Sequence, residues 1–304
     1  YLIKKNLILK KLLTKNLLTN YTYQNTLVVY TNSKRDKLGY GNYLRIISVL
    51  PNLKFKNFFW VSDKKPIQLI KNSDFIKGVF HLKSTEAKKL LKQKVSILNL
   101  YEIKKNTKTK KYFQNFLNNK KNIKESGNDL CKILLNIFRI KKYKLFHNKK
   151  KIKFKNDLFI NHVVPKEWKI KEYPIKKFKK LEQKLKSRDK NIKIIWQNKK
   201  DSMKNYVQKI KYSKLLLTII GLGTHVGMMF NKRTIVLAGP TYFKDLKKYK
   251  NKIVLFPKKK CECQTKFLNK GIFCNLHNLK NYGCMNDIDE NQLFNKLLIE
   301  LKKN

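Results

Sequence analysis

Arginine, alanine, acidic residues and long apolar runs are all scarce in this chain of 304 residues. Its formal charge of +53 comes from 72 Lys and Arg against 19 Asp and Glu, and only five of the bases are Arg: Arg35, Arg45, Arg139, Arg188 and Arg233. A surplus of that size points first to nucleic acid or to an anionic membrane. Bidentate recognition of phosphates and bases favours the planar guanidinium fork over the Lys point charge, so no specific nucleic-acid partner is expected. Alanine occurs only at Ala87 and Ala238, Gly numbers 10 and Pro 6, while Lys and Asn recur everywhere. This is the pattern expected if an AT-rich genome drives codon choice, the alternative being real attraction to anionic surfaces, since exposed Lys produce a positive field whatever put them there. Five Cys in a chain this long exclude a disulfide scaffold. No segment reads as a secretory signal, so a reducing cytoplasm is the expected compartment. The longest uncharged run, Leu215 to Asn231, is short for a membrane span and is interrupted by Gly221, Gly223, His225 and Gly227, so no transmembrane helix is predicted.

What is present is enough apolar residue, 42%, for packed cores in a chain of two-domain length. The first 20 residues alternate Leu/Ile pairs with Lys, and 1–25 is taken as a basic extension, either solvated or lying on a membrane surface as an amphipathic helix. Short apolar runs then follow at Thr26 to Tyr30, Phe58 to Val61, Val79 to Leu82 and Val95 to Leu100, and read as buried strands. Helical spacing lies between them, at Tyr43 to Leu53 and Ser84 to Leu91. Lys104 to Lys124 is predicted to be an exposed loop or helix pair, and the Lys-rich Lys141 to Asn156 closes the first domain. The pattern restarts with strands at Leu158 to Val164, Ile192 to Gln197, Leu215 to Ile220 and Thr234 to Ala238. Helices are predicted near Ile175 to Leu185, over Ser202 to Lys209, after Gly221, and at about Glu290 to Leu301. Alternating strands and helices argue for two successive α/β domains with parallel sheets, over 26–157 and 158–304.

The chemistry-bearing segments sit at strand-to-helix turns. In Leu38-Gly39-Tyr40-Gly41-Asn42-Tyr43-Leu44-Arg45 the glycines permit a tight turn and Asn42 suits a helix N-cap, an arrangement that also serves purely architectural ends. Trp168 and Lys171, between a strand and a helix and followed by Tyr173-Pro174, place a lysine beside rigid rings, where it either holds a phosphate or is one more solvated charge. Gly221-Leu222-Gly223-Thr224-His225 follows a strand and opens a helix. Glycines there let the backbone approach a diphosphate, whose charge the unpaired first-turn amides favour. The strand ending in Gly239-Pro240-Thr241 brings a second loop to the same sheet edge, where doubly wound folds bind their ligands.

The order of these segments over about residues 26 to 298 resembles glycosyltransferase family nine, the heptosyltransferases. The family's Gly-Asp-x-Leu-Arg stretch is matched by Gly41 to Arg45, and its Trp-x-x-Lys-x-(Trp or Tyr)-Pro stretch by Trp168, Lys171, Tyr173 and Pro174. A strand ending in Trp-Gln is seen as Trp196-Gln197, and an Asp-Ser-Leu-Gly-x-His turn is matched at Leu222, Gly223 and His225. A strand closing in Gly-Pro-Thr is matched at Gly239 to Thr241, and a Cys-Met-x-x-Ile loop at Cys284 to Ile288.

The resemblance implies a GT-B fold, two Rossmann-like domains facing across a cleft, and metal-independent transfer without a cofactor. The donor, a nucleotide sugar of the ADP-heptose kind, would bind the second domain through Trp168, Lys171, Gln197, Leu222, Gly223, Thr224, His225, Gly239, Pro240 and Thr241. The acceptor, a lipopolysaccharide-core or related glycolipid at the anionic membrane surface, would bind the first through Gly41 and Arg45, with the protein cytoplasmic or peripheral on the inner membrane.

Two positions depart from the family. Its acidic general base is Asn42 here, whose amide takes no proton at neutral pH, and its Asp-Ser is Ile220-Gly221. Asp36 and Asp63 are nearby carboxylates at loop positions, and Asp63 is taken with Asn42 as a catalytic candidate. A catalytically inactive sugar-binding relative is the alternative that Asn42 supports, and a basic nucleic-acid-binding protein the further one. Cys261, Cys263, Cys274 and Cys284, with His277, either hold zinc or form a family-like loop, the Cys-x-Cys spacing being tighter than zinc ribbons use. Cys131 reads as core.

Overall fold

The computed structural model of the chain describes residues 25–32, 39–93, 95–99, 140, 145, 148, 152–240, 246, 249–258 and 283–303. Residues 1–24, the basic stretch 104–124, Cys131, Asp36, Thr241, Cys261, Cys263, Cys274 and His277 lie outside the described residues. Described residues up to Leu145 belong to one compact unit and those from Asn148 onward to a second.

In the first unit, β1 (Thr26–Tyr30), β2 (Asn57–Ser62), β3 (Ile76–His81) and β4 (Ser96–Asn99) form a sheet of order β3-β2-β1-β4 in which every pair is parallel. Parallel pairing needs crossovers, and three helices supply them: α1 (Tyr40–Val49), α2 (Lys64–Ile70) and α3 (Thr85–Lys92). The central strand has Leu27, Val28 and Val29 fully buried, as expected of a strand covered on both faces. α1 buries Tyr43, Leu44, Ile46, Ile47 and Val49, and the Tyr43 ring meets Trp60 of β2 edge-on at 6.3 Å.

In the second unit β5 (Asn156–Asn161), β6 (Ile194–Trp196), β7 (Ser213–Ile219), β8 (Arg233–Leu237) and β9 (Lys252–Leu255) make a parallel sheet of order β6-β5-β7-β8-β9. Its helices are α4 (Ile175–Arg188), α5 (Met203–Lys211), α6 (Leu222–Met229) and α7 (Glu290–Lys302). α4 and α7 pack Phe178, Leu181, Leu185, Leu293 and Leu297 against Leu158, Ile160, Leu215, Leu217 and Ile235 of the strands. The alternation read from the sequence therefore gives the fold class, two parallel-sheet α/β units.

Several boundaries differ from expectation. The strand expected over Leu158 to Val164 ends at Asn161, because Asn161 turns its side chain into a buried polar cluster and the chain leaves the sheet before Pro165. The helix expected from Tyr43 to Leu53 starts earlier, at Tyr40, and its last turn tightens to a 3₁₀ turn over Leu50–Asn52 at Pro51. Asn42 is not the cap. Gly39 holds that position in extended geometry, and Asn42, two residues into the helix, donates its amide to the Gly39 carbonyl at 2.9 Å. Helix α2 and strand β9 were not expected, both being too short for a periodic signal.

The end of α6 has an unusual occupant. Asn231 adopts a left-handed conformation (φ 52°), its amide donates to Met228 O at 3.0 Å, and the amide of Lys232 donates to Gly227 O at 2.8 Å. These are the paired bonds of a Schellman ending, in which the residue after the left-handed one commonly buries an apolar side chain. Here that residue is a lysine, only 3% exposed. Burial pushes its amine down to about 7, and the Lys211 ammonium adds to the shift. Because the unfolded value is 10.5, the folded chain holds fewer protons than the unfolded chain between pH 7 and 10.5, so stability should rise with pH through that window and is lower below it. Replacing Lys232 with Met is expected to raise stability near neutral pH by about 1–3 kcal/mol, the amine being partly solvated, and to flatten that rise. Denaturant titrations across this range check it, and an unchanged slope in the Met variant would refute it.

Candidate functional site

A doubly wound sheet binds ligands beyond the carboxyl ends of its strands, where the strand order reverses. In the second sheet that switch lies between β5 and β7, since β6 is added on one side of β5 and β7 on the other. The loops leaving these two strands are the ones that carry Trp168, Lys171 and Leu222 to His225.

The loop after β5 runs through Pro165 into a 3₁₀ turn, Lys166–Lys171. Gln197, just past β6, ties this loop to the sheet: its amide donates to Ile160 O at 2.9 Å and its side-chain oxygen accepts the Val163 amide at 3.0 Å. Within the turn the Lys171 ammonium lies 4.0 Å from the centre of the Trp168 indole, so the ring holds the cation in place. Tyr173, 3% exposed, ends the segment and meets Phe178 edge-on at 4.9 Å. Beside it His162 packs edge-on to Trp196 at 5.2 Å. Burial holds its imidazole below the ordinary value against a hydrogen bond with the Ile160 backbone, and Lys199 adds to the lowering.

The loop after β7 is only two residues, Ile220 and an extended Gly221, and α6 begins at once. Leu222 and Gly223 open its first turn, where backbone amides lack intrahelical partners. A polar cluster fixes that turn: Asn161 donates to Thr218 Oγ1 at 2.5 Å, Thr218 donates to Ile219 O at 2.8 Å, and the Tyr206 hydroxyl donates to Asn161 Oδ1 at 3.2 Å. Gly223 sits directly on the cluster, and a Cβ there would come within 2.3 Å of Asn161 Nδ2 and 2.7 Å of Thr218 Oγ1. Thr224 is fully buried and accepts the Gly221 amide at 3.3 Å. His225, also buried, has its Nδ1 3.3 Å from the Tyr249 hydroxyl.

The Gly221–Thr224 bond is half of a capping box, and the other half needs a side-chain oxygen at position 221. A Cβ at Gly221 would meet only Ile219 O at 3.9 Å. Gly221→Ser, which restores the family's residue, is therefore expected to stabilise the chain by about 0.5 kcal/mol, seen as a rise in Tm. A fall in Tm would show that the extended backbone there does not accept a side chain.

Gly239 and Pro240, both buried, follow β8 at the same edge. A Cβ on Gly239 would come within 2.2 Å of Met285 Sδ, and Cys284 Sγ lies 3.5 Å from the same point. Cys284 and Met285 belong to a second 3₁₀ turn, Gly283–Asp287, which packs against the turn carrying Trp168 and Lys171. Lys177 at the start of α4 fastens it further, donating to Asn286 O at 2.7 Å and lying 3.2 Å from Glu290. The donor-side residues that the sequence singles out thus converge on one edge of the second sheet, apart from Thr241, which is not described.

On the first sheet, Gly41, Asn42 and Arg45 lie in the opening turns of α1, and Asp63 caps α2 at the end of β2. A buried chain of hydrogen bonds leads to Asp63. Trp60 Nε1 donates to Thr31 Oγ1 at 2.9 Å, Thr31 donates to Ser62 Oγ at 2.7 Å, and Ser62 donates to Asp63 Oδ1 at 3.4 Å. The Tyr40 phenol, on the first residue of α1, is raised by partial burial and then by the Asp63 charge. Asn161, Thr218, Thr31 and Ser62 were not anticipated as parts of either site. Their only sequence signal is a small polar residue near the end of an apolar run.

Among the described residues no group of three His, Cys, Asp or Glu is placed to hold a metal ion. Among them, too, no helix is long and apolar enough to cross a membrane.

No protein-family model matches the sequence, and no curated protein matches it. Solved structures do. The fold is similar to a glycosyl transferase family 9 protein from Veillonella parvula DSM 2008, with a TM-score of 0.57 at 13% identity, covering 93% of this chain and 99% of that one. It is similar also to E. coli heptosyltransferase WaaC with ADP, with a TM-score of 0.50 at 10% identity, covering 90% of this chain and 99% of that one. E. coli ADP-heptose lps heptosyltransferase II gives a TM-score of 0.50 at 11% identity over 91% of this chain and 98% of that one. The fold is accordingly that of the GT-B-type heptosyltransferases, the family that the sequence motifs resemble.

Proposed function

We propose that the chain is a glycosyltransferase that moves a sugar from a nucleotide donor, of the ADP-heptose kind, onto a glycan of the lipopolysaccharide-core kind. The observation that carries this reading is the assembly of Trp168-Lys171, Leu222 to His225, Gly239-Pro240 and Cys284-Met285 at the carboxyl edge of one parallel sheet. Motifs scattered over more than a hundred residues would have no reason to meet there in a merely architectural fold. The similar structure of E. coli heptosyltransferase WaaC is with ADP, and that of the dodecameric iron-containing heptosyltransferase TibC is in complex with ADP-D-beta-D-heptose, which supports the donor class.

The donor diphosphate would lie against the first-turn amides of α6, with the Lys171 ammonium as its counter-charge. Leaving-group charge develops on that diphosphate during transfer, so preorganised donors there lower the barrier without a metal ion. The acceptor would be held by the first unit near Gly41 and Arg45, with its hydroxyl proton taken by Asp63, since Asn42 offers no basic atom. No cofactor takes part in this reading. Lipid-linked acceptors would place the protein at the anionic cytoplasmic face of the inner membrane.

Calorimetry against ADP-, GDP- and UDP-sugars tests the donor. Lys171→Ala is expected to weaken the best ligand by on the order of 1.5–3 kcal/mol, the worth of a charge-assisted contact. Equal affinity in the folded variant would mean that Lys171 serves only to cover Trp168. A second reading, a sugar-binding relative without activity, is favoured by Asn42 alone, and donor binding without nucleotide release in the presence of acceptors would establish it.

A further inference from the structure

Lys177 stands in the first turn of α4, where the helix dipole disfavours a cation and an acidic or amide residue is the usual occupant. Its neighbour Lys176 is exposed. Lys177 is partly buried instead, and its ammonium donates to Asn286 O at 2.7 Å while lying 3.2 Å from Glu290 Oε1 and 5.8 Å from the centre of the Tyr173 ring.

Asn286 belongs to the Gly283–Asp287 turn, and burial holds the apolar residues beside it. Met285 and Ile288 sit in one apolar cluster with Phe178 and Leu293. Apolar contact has no direction, so it anchors the turn without fixing its rotation about those side chains. Hydrogen bonds of set length and angle do fix it. One comes from the Lys258 amide, past β9, to Asp287 O at 3.3 Å, and the shorter, charge-assisted one comes from Lys177.

The orientation of this turn bears on two donor-side loops. A Cβ on Gly239 would come within 2.2 Å of Met285 Sδ and 2.9 Å of its Cγ, so the loop after β8 rests directly on Met285. The turn that carries Trp168 and Lys171 packs against the same segment.

We propose that Lys177 is a positioning residue of the donor site. By holding Asn286 O it keeps the Gly283–Asp287 turn seated against both the Gly239-Pro240 loop and the turn of Trp168 and Lys171. The carbonyl bond does this, and the Glu290 ion pair, with 23% and 31% of the two side chains exposed, contributes little. The inference rests on the donor reading above, in which those loops meet the nucleotide sugar.

The test measures nucleotide-sugar affinity by calorimetry and, with no sugar present, amide exchange in the peptide from Cys284 to Ile288 by mass spectrometry. Lys177→Met keeps an aliphatic stem near Tyr173 and removes the donor. It is expected to weaken donor binding by roughly three- to tenfold, the larger factor corresponding to one charge-assisted hydrogen bond, and to speed exchange in that peptide. Lys177→Arg, which still offers a donor, is expected to keep both near wild type. Glu290→Gln removes the ion pair and Lys176→Met an equal charge one residue away, and neither is expected to change either reading. Wild-type affinity in folded Lys177→Met overturns the positioning role, and wild-type exchange overturns the clamp. An equal loss in Glu290→Gln or Lys176→Met also overturns the proposal, since the effect would then be one of ion pairing or of general field. Should wild type bind none of the ADP-, GDP- and UDP-sugars, the donor reading fails, while the exchange comparison still decides whether Lys177 clamps the turn. Lys177→Gln repeats the comparison if the Met variant does not fold.

Discussion

Gly223→Ala should lose both stability and donor binding, although it adds a single methyl group. The added carbon would sit 2.3 Å from Asn161 Nδ2, 2.7 Å from Thr218 Oγ1 and 2.8 Å from the Tyr206 hydroxyl. None of these atoms lies at the end of a flexible chain with room to retreat, because each is held by the others and all three residues are buried. Burial keeps the Tyr206 phenol protonated, so it remains a donor committed to Asn161. Two outcomes are open to the variant. Either the polar cluster opens, leaving buried donors and acceptors unsatisfied, or the start of α6 lifts away from β5 and β7. Overpacking of this kind costs on the order of 1–3 kcal/mol, and unsatisfied buried groups add a similar amount. Both outcomes displace the first-turn amides proposed to face the diphosphate. Urea unfolding and nucleotide-sugar calorimetry read the two effects, with Gly221→Ser, two residues earlier in open space, as the control. Near-wild-type values in Gly223→Ala for both measurements would show that the cluster yields easily and that α6 does not depend on it.

Asn42→Asp is expected to raise turnover by roughly 10²–10⁴-fold if the chain is a transferase lacking only its strongest base. Position 42 is in the first turn of α1 rather than at its cap, and a carboxylate there gains from the helix dipole, so folding should be little affected. The competing base is Asp63, held by the buried Trp60, Thr31 and Ser62 chain. If Asp63 already accepts the proton, Asp63→Asn abolishes transfer and Asn42→Asp changes little. Nucleotide release from wild type and the two variants, measured with a donor and acceptor that support turnover, separates the cases. No gain in Asn42→Asp together with full activity in Asp63→Asn would remove both residues from the chemistry.

Fold class was legible because buried parallel strands are written as apolar runs, and Thr26 to Tyr30 gives the β1 boundaries directly. Helix termini with a side-chain cap were legible too: Ser202 and Ser84 cap α5 and α3 as their hydroxyls suggest. Where the cap has no side chain the reading slipped, as at Gly39, since a glycine and a following asparagine offer rival starts and only backbone geometry decides. Helix α2 escaped notice because Pro66 sits inside a single pair of turns, and β9 because its four residues open on Lys252 and are framed by Lys250 and Pro257. For the site, the sequence supplied the motifs but not their meeting. That Gly239 needs to be bare for Met285 to pass is a fact about two loops distant in the chain, and no local pattern contains it. The Asn161, Thr218 and Tyr206 cluster was hidden for the same reason, its members being 45 and 57 residues apart.

That last separation also governs how the chain leaves a ribosome. Strand β5 is paired on one side with β7, whose Thr218 lies 57 residues beyond Asn161. At roughly 5–20 residues per second, Leu158, Phe159 and Ile160 wait about 3–11 s for that partner, with only the short β6 arriving sooner. During this interval the nascent sheet has an open apolar edge of the sort that joins neighbouring chains. The segment synthesised meanwhile is α4, which carries Lys176, Lys177, Lys179, Lys180, Lys184, Lys186 and Arg188 against a single carboxylate, Glu182. Like charges on adjacent nascent chains repel, and those of α4 are in place before β7 closes the edge.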